Sequence, residues 1–136
     1  MVESRPRNRR VALVSGADVY VDPQLSRLKY AVSDAKAIAE FLKGPAGYDR
    51  VELLVSGVTE QRIVDTAVAL VQDLGPGDLF LFYFSGHGIE YVGQHLLLCP
   101  DVVYDDFQFY KKTVPVDYLR NKTTRPALGP ALYCRS

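Results

Sequence analysis

The six residues 79–84, Leu-Phe-Leu-Phe-Tyr-Phe, form an uninterrupted apolar and aromatic run without a charge. A run of this kind is typical of a strand that is covered on both faces, as in the centre of a parallel sheet. Such a run is too hydrophobic for an edge strand, which favours folds that cover a sheet on both sides. The segments before this run are consistent with such a fold.

The first of these segments predict a strand followed by a helix. Residues 10–15 form a β-prone run, which again suits a strand covered on both faces. The apolar residues between Leu28 and Leu42 then recur at spacings of three and four, which predicts an amphipathic helix. Gly44-Pro45 predicts the end of this helix.

The next segments repeat the same order. Residues 51–55 predict a short strand, and Thr59 predicts the N-cap of a second helix that ends before Gly75. Repeated strand-helix-strand units predict right-handed crossovers and a sheet that lies between two layers of helices.

Beyond Gly88 the pattern is less regular. Residues 94–99 predict a strand, and residues 100–113 predict a long acidic and aromatic loop of the kind that often carries function. Residues 115–120 predict one or two helical turns with proline at a tolerated first-turn position. Residues 131–134 predict a last strand at the lower limit of strand length.

The composition bounds the domain count and the class of partner. A chain of 136 residues with 48% hydrophobic residues can bury one core but is too short for two ordinary domains. The 16 basic and 16 acidic residues cancel, so net charge predicts neither a nucleic-acid partner nor a membrane partner.

The segment after the N-terminal arginines and the number of cysteines indicate in which compartment the protein is expected. Too short an apolar run follows the arginines for an export signal or a membrane span, so residues 1–8 are predicted to be a flexible basic tail ahead of a domain over residues 9–136. Two cysteines cannot build a disulfide framework, and without an export signal a reducing cytoplasm is expected.

Two chemically useful side chains lie where predicted parallel strands end, which is where open α/β sheets bind ligands. His87 follows residues 79–84, and its flanking glycines allow a substrate backbone to approach and leave N–H groups to face an oxyanion. Cys134 ends the last predicted strand, and a histidine nearby can help to form its thiolate. A histidine in a tight turn and a small core cysteine are the non-catalytic alternatives.

Other site types fit the sequence less well. Gly16 is the one glycine directly after the first strand, so a dinucleotide-binding or phosphate-binding loop is not indicated. A serine-hydrolase elbow centred on Ser85 would need glycine two residues before and after it, where tyrosine and histidine stand. His95 and Cys99 are spaced to share a strand face, but two ligands do not make a metal site, so core packing is the preferred interpretation.

Residues 82–88, Phe-Tyr-Phe-Ser-Gly-His-Gly, resemble the histidine motif of caspases, metacaspases and bacterial caspase-like peptidases. Residues 10–14 and 28–35 resemble the first strand of these proteins and the Ala-Val-x-Asp-Ala opening of their first helix. Residues 134–136 resemble the start of their cysteine motif. The resemblance covers residues 9–136 and implies a three-layer α/β sandwich with a mostly parallel central sheet.

The resemblance also implies a cysteine-type endopeptidase that acts on peptides or proteins and needs no cofactor for its chemistry. Cys134 would attack the scissile carbonyl, His87 would protonate the leaving amine, and the N–H groups of Gly88 and Cys134 would form the oxyanion hole. The metacaspase-like branch cleaves after Arg or Lys, and Asp34 corresponds to an acidic residue of that pocket. A first-turn helix acid is the alternative for Asp34. Nothing in the sequence indicates a metal site or activation by calcium.

Near its C-terminus the chain departs from the family pattern. Leu132 stands two residues before Cys134, where family members carry aspartate, and Gly129-Pro130 stands where the strand should begin. The family domain also continues past the cysteine, so we expect a domain truncated after this strand. The alternative function is therefore a catalytically inactive fragment that acts as a protein-interaction module. The acidic and aromatic residues 104–110 suit a groove wall, a binding surface or a solvated loop, and an open sheet edge would favour self-association.

Overall fold

The computed structural model describes residues 8–103 and 112–123 of the chain. Residues 1–7 of the predicted basic tail, the segment 104–110 and the predicted strand that ends at Cys134 lie outside the described residues. No helix in the described ranges is long and apolar enough to cross a membrane. The elements are β1 (Arg10–Gly16), α1 (Ala31–Lys43), β2 (Arg50–Leu54), α2 (Glu60–Val71), β3 (Leu79–Ser85), β4 (Gly88–Tyr91), β5 (Gln94–Leu98), β6 (Thr113–Pro115) and α3 (Val116–Thr123).

The first three strands form a parallel sheet in the order β2-β1-β3. The alternating strands and helices therefore build the parallel α/β arrangement that the sequence predicts. Within residues 8–103 and 112–123, β3 pairs with β1 alone, so the central strand of this sheet is β1. The central position that we expected for residues 79–84 is not seen in this part of the chain.

Helices cover both faces of this sheet because the strand side chains alternate between the two faces. On one face, alternate residues of β1 and β3, including Phe82, pack against the buried side of α2 and against Leu119 of α3. On the other face, the intervening residues of the same strands, including Tyr83, pack against Ala35, Ala39 and Leu42 of α1. This gives the three-layer sandwich expected from the sequence.

The two long helices begin in different ways. The Thr59 side chain caps α2 as predicted, since its hydroxyl oxygen accepts a hydrogen bond from the Arg62 N–H at 3.1 Å. In contrast, α1 begins three residues later than Leu28, where the predicted apolar pattern begins. The Asp18 carboxylate accepts from the Val32 N–H at 3.0 Å and its carbonyl accepts from the Leu28 N–H at 2.8 Å. Asp18 therefore fixes the start of α1 and keeps Leu28 in the loop before it.

A second, antiparallel sheet in the order β4-β5-β6 follows β3. Of these strands, β5 agrees with the prediction over residues 94–99, whereas β4 and β6 were not predicted. A two-residue loop joins β4 to β5, and both of its residues have positive φ, at 50° for Val92 and 78° for Gly93. The helical turns predicted at residues 115–120 are present as α3, which begins at Val116 because Pro115 still belongs to β6.

Candidate active site

His87 lies in the short connection between β3 and β4, at the carboxyl end of the parallel sheet. The carboxyl ends of β1 and β3 are held together there, since Gly16 is paired with Ser85 and the Ala17 N–H donates to the Ser85 carbonyl at 3.0 Å. His87 itself is partly buried. The structure thus places His87 at the sheet edge where the sequence predicts a site.

The imidazole of His87 has a defined hydrogen-bond partner. Its Nε2 atom lies 2.7 Å from the backbone carbonyl oxygen of Ser26. A carbonyl oxygen can only accept, so Nε2 carries the proton in this arrangement. In the neutral ring, Nδ1 then keeps the lone pair and is available to take up a proton. Ser26 was not identified from the sequence, because any residue type provides a backbone carbonyl.

Tyr20 holds the backbone of His87. Its hydroxyl accepts from the His87 N–H at 2.9 Å and donates to the Leu98 carbonyl at 2.8 Å. The Tyr20 ring also meets the imidazole edge-on, with the ring centroids 4.9 Å apart and an interplanar angle of 68°. Burial raises the pKa of Tyr20 to about 12, the hydrogen bond from His87 opposes this, and the Cys99 and Asp18 charges add to it. At neutral pH the hydroxyl therefore stays protonated and can donate.

Gly86 is required by this packing. A Cβ at this position would lie 2.8 Å from the Tyr20 Oη atom and 2.8 Å from Cζ of Phe84. Real Cβ atoms do not approach other heavy atoms so closely, so any larger residue would displace the hydroxyl that holds His87. The glycine before the histidine thus has a packing role besides the open approach to substrate inferred from the sequence.

Gly88, the predicted oxyanion donor, begins β4 opposite Leu97. The neighbouring pair, His87 and Leu98, is a hydrogen-bonded pair, because the Leu98 N–H donates to the His87 carbonyl at 3.0 Å. Hydrogen-bonded and non-hydrogen-bonded pairs alternate along an antiparallel ladder. Gly88 is consequently at a non-hydrogen-bonded position, and its N–H points away from β5.

The loop between β1 and α1 carries Tyr20 and Ser26 and is held by its own hydrogen bonds. The Val21 N–H donates to the Pro100 carbonyl at 2.8 Å, which ties the loop to the end of β5. The buried Asp22 accepts the Gln24 N–H on its side chain at 2.9 Å and the Leu25 N–H on its carbonyl at 3.0 Å. These bonds form the turn that directly precedes Ser26.

Asp34 lies in the first turn of α1, where its N–H donates to the Tyr30 carbonyl at 2.7 Å. This turn packs closely on the carboxyl end of β1, since a Cβ at Gly16 would lie 2.8 Å from the Ala31 carbonyl oxygen. Asp34 and His87 therefore both lie at the carboxyl end of the parallel sheet. The Asp34 side chain is partly exposed and forms no ion pair with the described residues.

Cys99 is a core residue. It is fully buried, and burial raises the pKa of its thiol to about 12, with smaller contributions from the Asp101 and Glu60 charges. His95 is exposed, and the described residues contain no group of three or more side chains suited to hold a metal. Core packing is therefore seen for Cys99, whereas the same prediction is wrong for His95, which lies at the surface. Cys134 lies outside the described residues, so its approach to His87 stays a prediction.

A cleft of about 520 Å³ opens at the carboxyl ends of β1 and β2, beside the loop that carries Ser26. Its lining includes Arg27, which directly follows Ser26 in the chain, and the carboxylate residues Asp18 and Asp101. The rest of its lining is largely apolar and includes several valines, and the cleft lies next to the segment that holds the His87 imidazole.

Comparison with known proteins gives one consistent family. The sequence matches the caspase domain of the C14 peptidases over residues 9–132, a match that ends ahead of Cys134. Metacaspase-1A of Aspergillus niger is 30% identical over 125 residues, and Metacaspase-1 of Emericella nidulans is 29% identical over 125 residues. Each of these alignments covers 85% of this chain, which spans 28% of the length of the relative. The crystal structure of a protein from Geobacter sulfurreducens superimposes with a TM-score of 0.63 at 21% identity, over 93% of this chain and 49% of that chain.

Proposed function

The chain belongs to the caspase-domain family, and on this premise we propose that it is a cysteine-type endopeptidase domain with a catalytic dyad of Cys134 and His87. The observation that carries this proposal is the 2.7 Å contact between His87 Nε2 and the Ser26 carbonyl. This contact leaves Nδ1 as the ring atom that can exchange protons with a thiol and a leaving amine. A histidine held in this way at the edge of a parallel sheet is suited to general acid–base catalysis.

In the proposed mechanism, the Cys134 thiol transfers its proton to His87 Nδ1 and the thiolate attacks the scissile carbonyl carbon. The N–H groups of Gly88 and Cys134 would stabilise the oxyanion, an effect typically worth about a hundredfold to a thousandfold in rate. His87 then protonates the leaving amine, and water releases the acyl group from the thioester with His87 as the base. Because the mechanism needs a reduced thiol, we place the protein in a reducing compartment such as the cytoplasm.

We further propose that the substrate is cleaved after Arg or Lys and that Asp34 binds the basic side chain. A carboxylate can bind a guanidinium through two parallel hydrogen bonds, which gives geometric specificity as well as attraction. The support in the described residues is that Asp34 is partly exposed, lies at the same sheet edge as His87 and forms no ion pair there.

The dyad is tested by cleavage of fluorogenic peptides that end in Arg, Lys or Asp before the reporter group. We expect cleavage after the basic residues, and a loss of at least about a thousandfold in kcat/KM in Cys134→Ala and His87→Ala. His95→Ala is the matched control, since His95 is exposed and should retain activity. Activity that survives in both dyad variants would contradict the proposal. Absence of turnover and of Cys134 labelling by a thiol-reactive peptide would support the inactive interaction module instead.

Specificity is tested separately with Asp34→Asn. We expect kcat/KM for Arg and Lys peptides to fall by at least about tenfold, because the paired charge is lost. Glu40→Gln changes an exposed carboxylate of the same helix and should leave these values unchanged. Equal effects in the two variants would show that Asp34 does not select the basic side chain.

A further inference from the structure

The Tyr20 hydroxyl stands in the place of a backbone hydrogen bond. His87 and Leu98 face each other as a hydrogen-bonded pair, in which two backbone bonds normally form. One of these is present, from the Leu98 N–H to the His87 carbonyl at 3.0 Å. In place of the other, the Tyr20 hydroxyl accepts from the His87 N–H at 2.9 Å and donates to the Leu98 carbonyl at 2.8 Å.

This inserted oxygen separates the two backbones on one side only. The His87 N–H cannot reach the Leu98 carbonyl directly while the hydroxyl lies between them. The chain therefore leaves the β4–β5 ladder at His87 with every backbone polar group of this pair still satisfied. A buried hydroxyl with both its donor and its acceptor function used is a specific arrangement, because an unmatched group would be costly there.

The same residue is linked to the imidazole by two further routes. Its ring meets the His87 ring edge-on at 4.9 Å, and it lies six residues before Ser26 in the loop that supplies the imidazole's acceptor. The bond from the Val21 N–H to the Pro100 carbonyl at 2.8 Å fixes this loop directly after Tyr20. Tyr20 therefore contacts both the backbone and the ring of His87, and it lies in the same anchored loop as Ser26.

We propose that Tyr20 is a positioning residue, whose hydroxyl holds the His87 backbone so that the imidazole presents Nε2–H to the Ser26 carbonyl and Nδ1 to the reacting thiol. The inference rests on the proposed peptidase function for its catalytic meaning. The orientation of His87 can be measured without turnover, so the two proposals can fail separately.

The test is Tyr20→Phe, which keeps the ring and removes the hydroxyl. The chain has two histidines, so 15N-histidine spectra of the full chain can be assigned with His95→Gln. We expect the Nε2–H tautomer of His87 in the wild-type chain. In Tyr20→Phe we expect a tautomer mixture, at least tenfold faster amide exchange at His87, and a fall in kcat of about tenfold to a hundredfold with KM within twofold. Tyr30→Phe, which changes a 69% exposed side chain, should leave all these readouts unchanged.

An unchanged tautomer and unchanged amide exchange in Tyr20→Phe would overturn the proposal, as would an unchanged kcat in an active chain. If the wild-type chain cleaves no peptide, the proposed function fails and the tautomer and exchange data still decide the role of Tyr20. If Tyr20→Phe does not fold, the role of Tyr20 is tested by the amide exchange and the tautomer of His87 in the wild-type chain. A His87 amide that exchanges as slowly as the β3 amides, together with the Nε2–H tautomer, supports the proposal, and an unprotected amide or the Nδ1–H tautomer overturns it.

Discussion

Replacement of Asp78 by asparagine would test the anchor at the start of β3, the strand that leads to His87. Asp78 is 3% exposed. Its carboxylate accepts from the Arg9 N–H at 2.8 Å, from the Gly75 N–H at 2.9 Å, and from the Arg9 guanidinium at 3.1 and 3.3 Å. Burial raises the pKa of Asp78, but the hydrogen bonds from Gly75 and Arg9 and the Arg9 charge outweigh it, and the net pKa is lowered.

The expected loss follows from these contacts. Asparagine offers one acceptor oxygen in place of two, and its NH₂ group would face the donors of Arg9 or Gly75. Hydrogen bonds to a charged group contribute about 1.5–3 kcal/mol each. The Arg9 side chain is 23% exposed and can be rehydrated, so the hydrogen bonds from its guanidinium contribute less to the loss of stability. We therefore expect Asp78→Asn to lower the free energy of unfolding by about 2–4 kcal/mol, a large part of the stability of a small domain.

The pH dependence has a definite sign. The folded-state pKa of Asp78 lies below its unfolded value, so the stabilisation is fully present above the unfolded pKa, near about 4. It is lost as the pH falls through the folded pKa. Urea unfolding followed by circular dichroism should therefore give the full difference between wild type and Asp78→Asn at pH 7, and a smaller difference below about pH 4.

Asp117→Asn is the matched control for this experiment. Its side chain is 71% exposed and pairs with Arg120 at 3.2 Å on the surface of α3. Exposed pairs of this kind contribute at most about 1 kcal/mol, so we expect a change near zero. Equal losses in the two variants, or a difference for Asp78→Asn that does not shrink in acid, would show that the Asp78 carboxylate does not stabilise the fold in this way.

Two further experiments test the packing of Gly86 beside His87 and the burial of Cys99 in the core. Gly86→Ala should lower stability by about 1–3 kcal/mol and speed amide exchange at His87, because the new Cβ would lie 2.8 Å from the Tyr20 Oη atom; unchanged urea unfolding and exchange would contradict this. The Cys134→Ala variant leaves Cys99 as the remaining cysteine. At pH 8, Cys99 of the folded variant should react with iodoacetamide at least about a hundredfold more slowly than Cys99 of the variant unfolded in urea, since burial raises the pKa of the thiol to about 12. Similar rates in the two conditions would show that Cys99 is accessible.

The elements that could be predicted are those whose pattern reflects burial on a sheet face. Residues 79–84 were recognised as a strand because both faces of β3 are covered. The β4–β5 hairpin was missed because its two-residue loop contains Val92 at a φ of 50°, and valine gives no turn signal. The apolar spacing predicts too early a start for α1, because Leu28 continues the helical spacing while packing from the preceding loop. Apolar spacing records burial, and a loop can bury a residue as well as a helix can.

The candidate site likewise contains one residue that the sequence reveals and others that it does not. His87 could be found because its flanking glycines and the strand before it are visible in the sequence. Ser26 could not, since it contributes a backbone carbonyl that every residue has. Tyr20 could not either, because its hydroxyl reaches the His87 N–H across 67 residues of sequence. Nothing local distinguishes it from a tyrosine that only fills the core.

The orientation of His87 therefore depends on the path of the loop between β1 and α1 rather than on a motif. The loop is set at one end by Asp18, which fixes the start of α1, and in its middle by the Val21–Pro100 bond beside Tyr20. Because the imidazole is held by a backbone carbonyl, side chains of this loop can vary without changing its tautomer as long as these anchors remain. Residue type at Ser26 thus says little about the site, whereas residue type at position 20 matters, because the Tyr20 hydroxyl both accepts from the His87 N–H and donates to the Leu98 carbonyl.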